Sequence, residues 1–144
     1  MLLGVLSALV AAACSGDDST GPTANPDFMV GDWIAVDMRI TSVANPEVRA
    51  DVIASGGEFT LNVQPSGRYT AILQAFGQAS TETGTVTVEG NQVVFMRTFP
   101  TQEESRATWS RNGANVVLDG PTRFDFNLDG TPEDGTLHME LAPR

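Results

Sequence analysis

Few side chains in this sequence are spaced as chemistry requires, and the clearest set is acidic. The stretch DFNLDGTPEDG, Asp125 to Gly135, places Asp125, Asn127 and Asp129 at alternate positions before Gly130. A calcium loop uses this spacing to bring alternate oxygens to one ion, with the glycine permitting the sharp turn. The bidentate glutamate expected at the twelfth position is replaced by Thr136, which leaves Asp134 or Glu133 to complete the set. In an extended strand alternate residues stand ~6.6 Å apart along the axis, too far for oxygens that must meet one ion at ~2.4 Å. A calcium role therefore requires the segment to curl. Phe124, Phe126 and Leu128 instead fit the apolar face of a strand, which favours an acidic hairpin loop on the solvent side.

Other reactive types are isolated. His138 is the sole histidine and alternates with Leu137 and Met139, so it faces outward if they face the core. With no second histidine, no free cysteine and no metal-ligand cluster, neither a histidine-based triad nor a zinc site has its parts. Glu103 and Glu104 lie in PTQEES, a loop by composition, and no glycine-rich phosphate loop opens a helix. The reading is of a protein that is not an enzyme. Its 8 Lys+Arg against 18 Asp+Glu give a net charge of -10. Nucleic acid is excluded as a partner, because phosphate binding relies on clustered cations that this chain lacks.

Cys14 is the only cysteine, so no disulfide forms within the chain. Before it, LLGVLSALVAAA is almost wholly apolar and ends in small alanines, the profile of a signal-peptide apolar region and cleavage site. At about 12 residues the run is shorter than the ~20 that cross a bilayer as a helix. VAAAC, Val10 to Cys14, resembles a bacterial lipobox, which implies that Cys14 becomes the lipid-bearing first residue of the mature chain. Two or more acyl chains there give stable anchoring. Against this stands a Cys14 that is merely a small buried hydrophobe in a core element. SGDDSTGPTANP, Ser15 to Pro26, has no large apolar residue and reads as a flexible tether, which favours the anchor. Ser15 after the cysteine resembles the outer-membrane pattern, so the expected location is the bacterial cell envelope, facing periplasm or surface. The expected organisation is a signal peptide at 1–13, a tether at 14–27 and one domain at 28–144.

The domain is patterned for strands. EFTLNVQ alternates Phe59, Leu61 and Val63 with polar residues, and PSG turns the chain into RYTAILQAF. TGTVTVEGNQVVFMRTF is two strands about Gly90-Asn91, and RATWSRNGANVVLDG repeats the form near Asn112-Gly113. RFDFNL and TLHMEL complete an all-β, antiparallel up-and-down barrel of about eight strands, because closure removes exposed edges. NPEVRADVIASGG breaks the pattern. Asn45 as N-cap, Pro46 in the first turn and Gly56-Gly57 at the stop predict one short helix between the first and second strands.

VGDWIAVDMRI carries a Gly-x-Trp at Gly31 to Trp33 that resembles the lipocalin signature. Together with LNVQPSGRYTAIL and GTVTVEGNQVVF, the layout is similar to bacterial lipocalin-like domain lipoproteins over residues 28–144. The resemblance implies a barrel that holds a small apolar ligand, with Trp33, Tyr69, Phe95 and Trp109 as aromatic candidates. It also implies an arginine packed over the tryptophan, for which Arg123 and Arg144 are the candidates. Trp33 lies out of phase with the apolar face of Ile34, Val36, Met38 and Ile40, so either a bulge shifts register or Trp33 plugs an end. Eight strands are only just wide enough to be filled or to hold one small molecule. A filled barrel would instead serve as a platform for other envelope proteins. Replacing Cys14 in C14S should move the protein from the membrane fraction to the soluble one; unchanged fractionation would remove the anchor.

Overall fold

The computed structural model describes residues 26–144; Cys14, the expected signal peptide and nearly all of the expected tether lie outside the described residues. A 3-10 turn, Asp27–Met29, leads into nine strands. They are β1 (Gly31–Ser42), β2 (Arg49–Asp51), β3 (Glu58–Val63), β4 (Arg68–Ala75), β5 (Gln78–Glu89), β6 (Gln92–Phe99), β7 (Glu103–Asn112), β8 (Asn115–Phe124) and β9 (Glu133–Pro143). Every pairing is antiparallel, in the order β2-β1-β3-β4-β5-β6-β7-β8-β9. β1 also pairs with β9, from Trp33↔Pro143 to Ser42↔Gly135. That closes eight strands into the barrel that the alternating pattern predicts, with β2 as an extra strand. The tight turns fall where the turn residues do, at Pro65 to Gly67, Gly90-Asn91 and Gly113-Ala114.

The phase conflict in β1 is resolved by a bulge. Ala35 pairs with Leu141 and Asp37 with Glu140, which leaves Val36 as the extra residue, half exposed on the outer face. Trp33 and Ala35 before the bulge, and Met38 and Ile40 after it, are therefore all buried in the same interior. Trp33 also plugs an end: its indole N–H donates to the Met29 carbonyl at 2.7 Å.

The helix expected over NPEVRADVIASGG does not form. Asn45 does start a turn, its Oδ1 accepting from the Glu47 N–H at 3.1 Å and its carbonyl from Val48 at 2.9 Å. The chain then extends as β2, pairing Arg49, Ala50 and Asp51 with Thr41, Ile40 and Arg39. The reason lies in β1, which pairs with β3 only from Gly31 to Ile34 and leaves the rest of that edge without a partner. A single helical turn is weak on its own and its β-branched residues weaken it further; a strand at this place satisfies the edge. Val52 closes the gap, fully buried, with its N–H on the Met38 carbonyl. A second difference is at the end of β8. The strand stops at Phe124, and Leu128, expected on an apolar face, has φ 60° and is 85 % exposed.

Trp33→Phe keeps most of the ring but removes the donor to the Met29 carbonyl. Chemical denaturation should register a loss of about 1–3 kcal/mol, the cost of a buried acceptor left without its partner.

Candidate functional site

The two ends of the barrel differ because their inward side chains differ. Toward the amino end of β1 they are large, and Met29, Val63, Val86, Val116, Leu118 and Leu141 fill the interior. Trp33 stands in this packed end. Trp109 stands at the same end, its ring stacked on Phe28 at 4.0 Å and its N–H donated to the Gly90 carbonyl at 3.2 Å. Arg111 lies 5.6 Å over the Phe28 ring. Both tryptophans thus fasten the plug that the entering chain makes, and neither borders the cavity described next. Of the arginines weighed against Trp33, Arg144 lines a shallow surface depression with it, whereas Arg123 is at the opposite end, 3.6 Å from Asp134.

Toward the other end the inward positions turn small: Ala71, Gly84, Ala107, Gly120 and Gly135. A cavity of about 1280 Å³ extends there from the interior out to exposed residues such as Val43 and Asp134. Ordinary small-molecule pockets hold roughly 300–1,000 Å³, so this one has room for a lipid-sized guest. Met38, Leu61, Ala71, Leu73, Phe95 and Met139 give it apolar walls. Tyr69 and Phe95 are the two sequence-predicted aromatic residues that line it, and their rings meet edge to face at 5.3 Å. Gly84 makes this possible. It sits opposite Tyr69 in the β4–β5 register, and a Cβ there would come within 2.1 Å of the Met96 carbonyl oxygen.

The cavity borders the wall where β7 and β8 part, and also the loops at that end of the barrel, Val43 and Pro132. Phe76 and Gly77, both at positive φ, form the two-residue turn between β4 and β5. The Phe76 ring lies 5.9 Å from that of Phe124, and Phe124 is 5.1 Å from Phe126. β4 and β8 are on opposite walls in the strand order, so these rings bridge the end of the barrel. A left-handed backbone is uncommon for a bulky residue, and the contact with Phe124 is what a phenylalanine adds at this turn over the usual asparagine. The side opening is a break in the β7–β8 ladder. Pairing runs from Asn112↔Asn115 to Thr108↔Asp119 and stops, although β7 continues back to Glu103 and β8 forward to Phe124. Glu103 to Arg106 on one lip and Pro121 to Arg123 on the other line the cavity. Pro121, with no N–H to give, suits a strand whose edge is unpaired.

Among the polar residues that line the cavity, Tyr69, Glu82, Arg97 and Glu103 form one linked set. The Tyr69 hydroxyl donates to Glu82 Oε1 at 3.3 Å, and Glu82 Oε2 lies 3.5 Å from Arg97. Arg97 also binds Glu103 and donates from Nε to the Thr101 carbonyl at 3.0 Å. Burial first, then the charge and hydrogen bond of Glu82, push the Tyr69 phenol well above its ordinary pKa, so it stays protonated. Sequence reasoning did not single out Glu82 or Arg97, and it placed Glu103 and Glu104 in a loop, whereas both belong to β7. The available signals were Gly84 amid the alternating run TGTVTVE, and a proline inside VVLDGPTRF.

The acidic stretch does curl. Asp125 accepts from the N–H groups of Asp129 and Gly130, at 3.1 and 2.7 Å, and Asn127 Oδ1 from that of Asp129 at 3.0 Å. Asp129 caps the Thr131 N–H at 2.8 Å, and Asp134 faces Arg123 instead. These oxygens hold the turn's own backbone. Among the described residues no three His, Cys, Asp or Glu side chains are grouped to hold a metal ion. His138 is on the outer face, its Nδ1 2.7 Å from Asp119 Oδ1 and its Nε2 3.8 Å from Asp37.

No protein-family model matches the chain, and comparison with curated proteins and with solved structures gave no match either.

Gly84→Ala forces a methyl group into the Met96 carbonyl. It should destabilise the barrel by more than about 2 kcal/mol, visible as a melting temperature several degrees lower.

Proposed function

We propose that this chain is a lipid-anchored protein of the bacterial cell envelope whose barrel holds a small apolar molecule, admitted through the β7–β8 seam. The observation that carries the binding reading is the cavity of about 1280 Å³, with apolar side chains on its inner walls and charged ones along the β7–β8 seam. A hollow interior bordered by methionine, leucine and phenylalanine gains by exchanging water for hydrocarbon, at about 25 cal/mol for each Å² of apolar surface removed from solvent. The same hollow speaks against the filled barrel that a rigid platform would need.

The anchor rests on the VAAAC stretch and the polar segment after it. Eleven residues, 15–25, separate Cys14 from Pro26; fully extended they reach roughly 40 Å at most. Pro26 and Met29 are buried at the packed end, so the tether would leave from the end opposite the cavity. On this arrangement the seam lies on the half of the barrel away from its own membrane, accessible to a guest arriving from the aqueous side.

The test is uptake of a neutral apolar dye, N-phenyl-1-naphthylamine, whose fluorescence rises on leaving water. The wild-type protein should bind it saturably. Ala71→Trp, which directs an indole into the hollow, should weaken uptake at least tenfold while circular dichroism still reports the barrel. Equal dye binding by this variant, or none by the wild type, would overturn the reading.

A further inference from the structure

The polar groups at the cavity specify what sort of head an apolar guest carries. Arg97, the cation beside Tyr69 and Glu82, is held by protein. A guanidinium has five N–H groups, and three of those on Arg97 are hydrogen-bonded to protein, Nε to the Thr101 carbonyl, one Nη2 hydrogen to the Thr101 hydroxyl and the other to Glu103, while Nη1 lies 3.5 Å from Glu82 as an ion pair. Tyr69 has a single hydroxyl hydrogen, and it goes to Glu82. The pKa of that phenol, raised by burial and by Glu82, keeps the hydrogen in place.

Acceptors, by contrast, are in surplus. An ionised carboxylate offers about four lone-pair sites, and Glu82 uses one on Tyr69 and one toward Arg97 while its side chain remains 40 % exposed at the cavity. Two carboxylates, Glu82 and Glu103, share the one cation Arg97. The remaining charges on the seam lips add no free cation: Arg106 is held between Glu89 and Glu104 at 2.7 Å each, and Arg123 faces Asp134. Among the charged residues that line the cavity, Glu82, Glu103, Glu104 and Asp134 outnumber Arg97, Arg106 and Arg123 by one, so the field at the opening is negative, in a chain whose net charge is -10. A carboxylate or phosphate head would meet that field and would have to displace Glu82 or Glu103 from Arg97.

Resting on the binding reading above, we infer that the guest is an amphiphile with a protonated amine at its head, its hydrocarbon in the Met38–Leu61–Phe95 hollow and its ammonium on Glu82. The three hydrogens of an ammonium match what the site leaves open, the spare lone pairs of Glu82 and the phenol oxygen of Tyr69. A charge-assisted bond of this kind is roughly twice as strong as a neutral one.

Competition against the bound dye tests this, with dodecylamine, dodecanol and dodecanoate added below their aggregation limits. Dodecylamine should displace the dye at a concentration at least tenfold lower than dodecanoate, with dodecanol between. Glu82→Gln keeps an acceptor for Tyr69 but removes the charge; it should erase most of that preference, so that dodecylamine and dodecanol then displace the dye at similar concentrations. Dye uptake with dodecanoate competing as well as dodecylamine, or a preference unchanged in Glu82→Gln, would overturn the head-group assignment and leave the apolar site standing. Failure of the wild-type protein to take up the dye would overturn the apolar site, and the head-group assignment with it.

Discussion

The structure depends on β1 closing the barrel. This one strand pairs with β9 along nearly its whole length and with β3 and β2 in succession on its other edge. A strand's side chains alternate strictly, so a regular β1 with Trp33 inward would turn Met38 and Ile40 to solvent. The Val36 bulge removes the conflict at the cost of one half-exposed valine. It lets the same strand give a tryptophan to the packed end and a methionine to the hollow.

Hollowness follows from side-chain size. Eight strands enclose little more than their own side chains, and the packed half of this barrel demonstrates that limit. The other half escapes it because glycine and alanine occupy inward positions on β4, β5, β7, β8 and β9. Gly84 does two things at once: it allows β6 to approach its backbone and it clears space beside the Tyr69 ring. Gly120 has a similar place where β7 and β8 part, since a Cβ there would come within 2.6 Å of the Arg106 carbonyl oxygen. The ladder ends at Asp119, one residue before it.

Two gaps in the wall are treated differently. The gap between β1 and β3 is covered by β2 and sealed with Val52. The gap between β7 and β8 is left with charged lips, Glu103, Glu104, Arg106 and Arg123, all four in ion pairs. Charged residues along unpaired strand edges also discourage pairing with a second chain. The seam can thus stay open without making the edge adhesive.

The sequence by itself determined the barrel. Alternation in EFTLNV and TVTVE, turn residues at Gly90-Asn91 and Pro65 to Gly67, and the outward phase of His138 are local properties, legible because a strand's period and a turn's backbone are set by neighbouring residues. The clash of phase at Trp33 was legible too, as a choice between a bulge and a plug; only closure against β9 produced both. What tertiary structure alone decided were the matters that depend on distant partners. Asn45 begins a turn as its residue type predicts, but the unpaired edge of β1 converted the expected helix into β2. Asp125, Asn127 and Asp129 have calcium-loop spacing, yet their oxygens serve the turn's own N–H groups. Tyr69 and Phe95 meet at the cavity while Trp33 and Trp109 hold the plug, and Glu82 joins Arg97 across strands. No local pattern encodes these pairings, because each is fixed by the register of a closed sheet that brings together residues far apart in the chain.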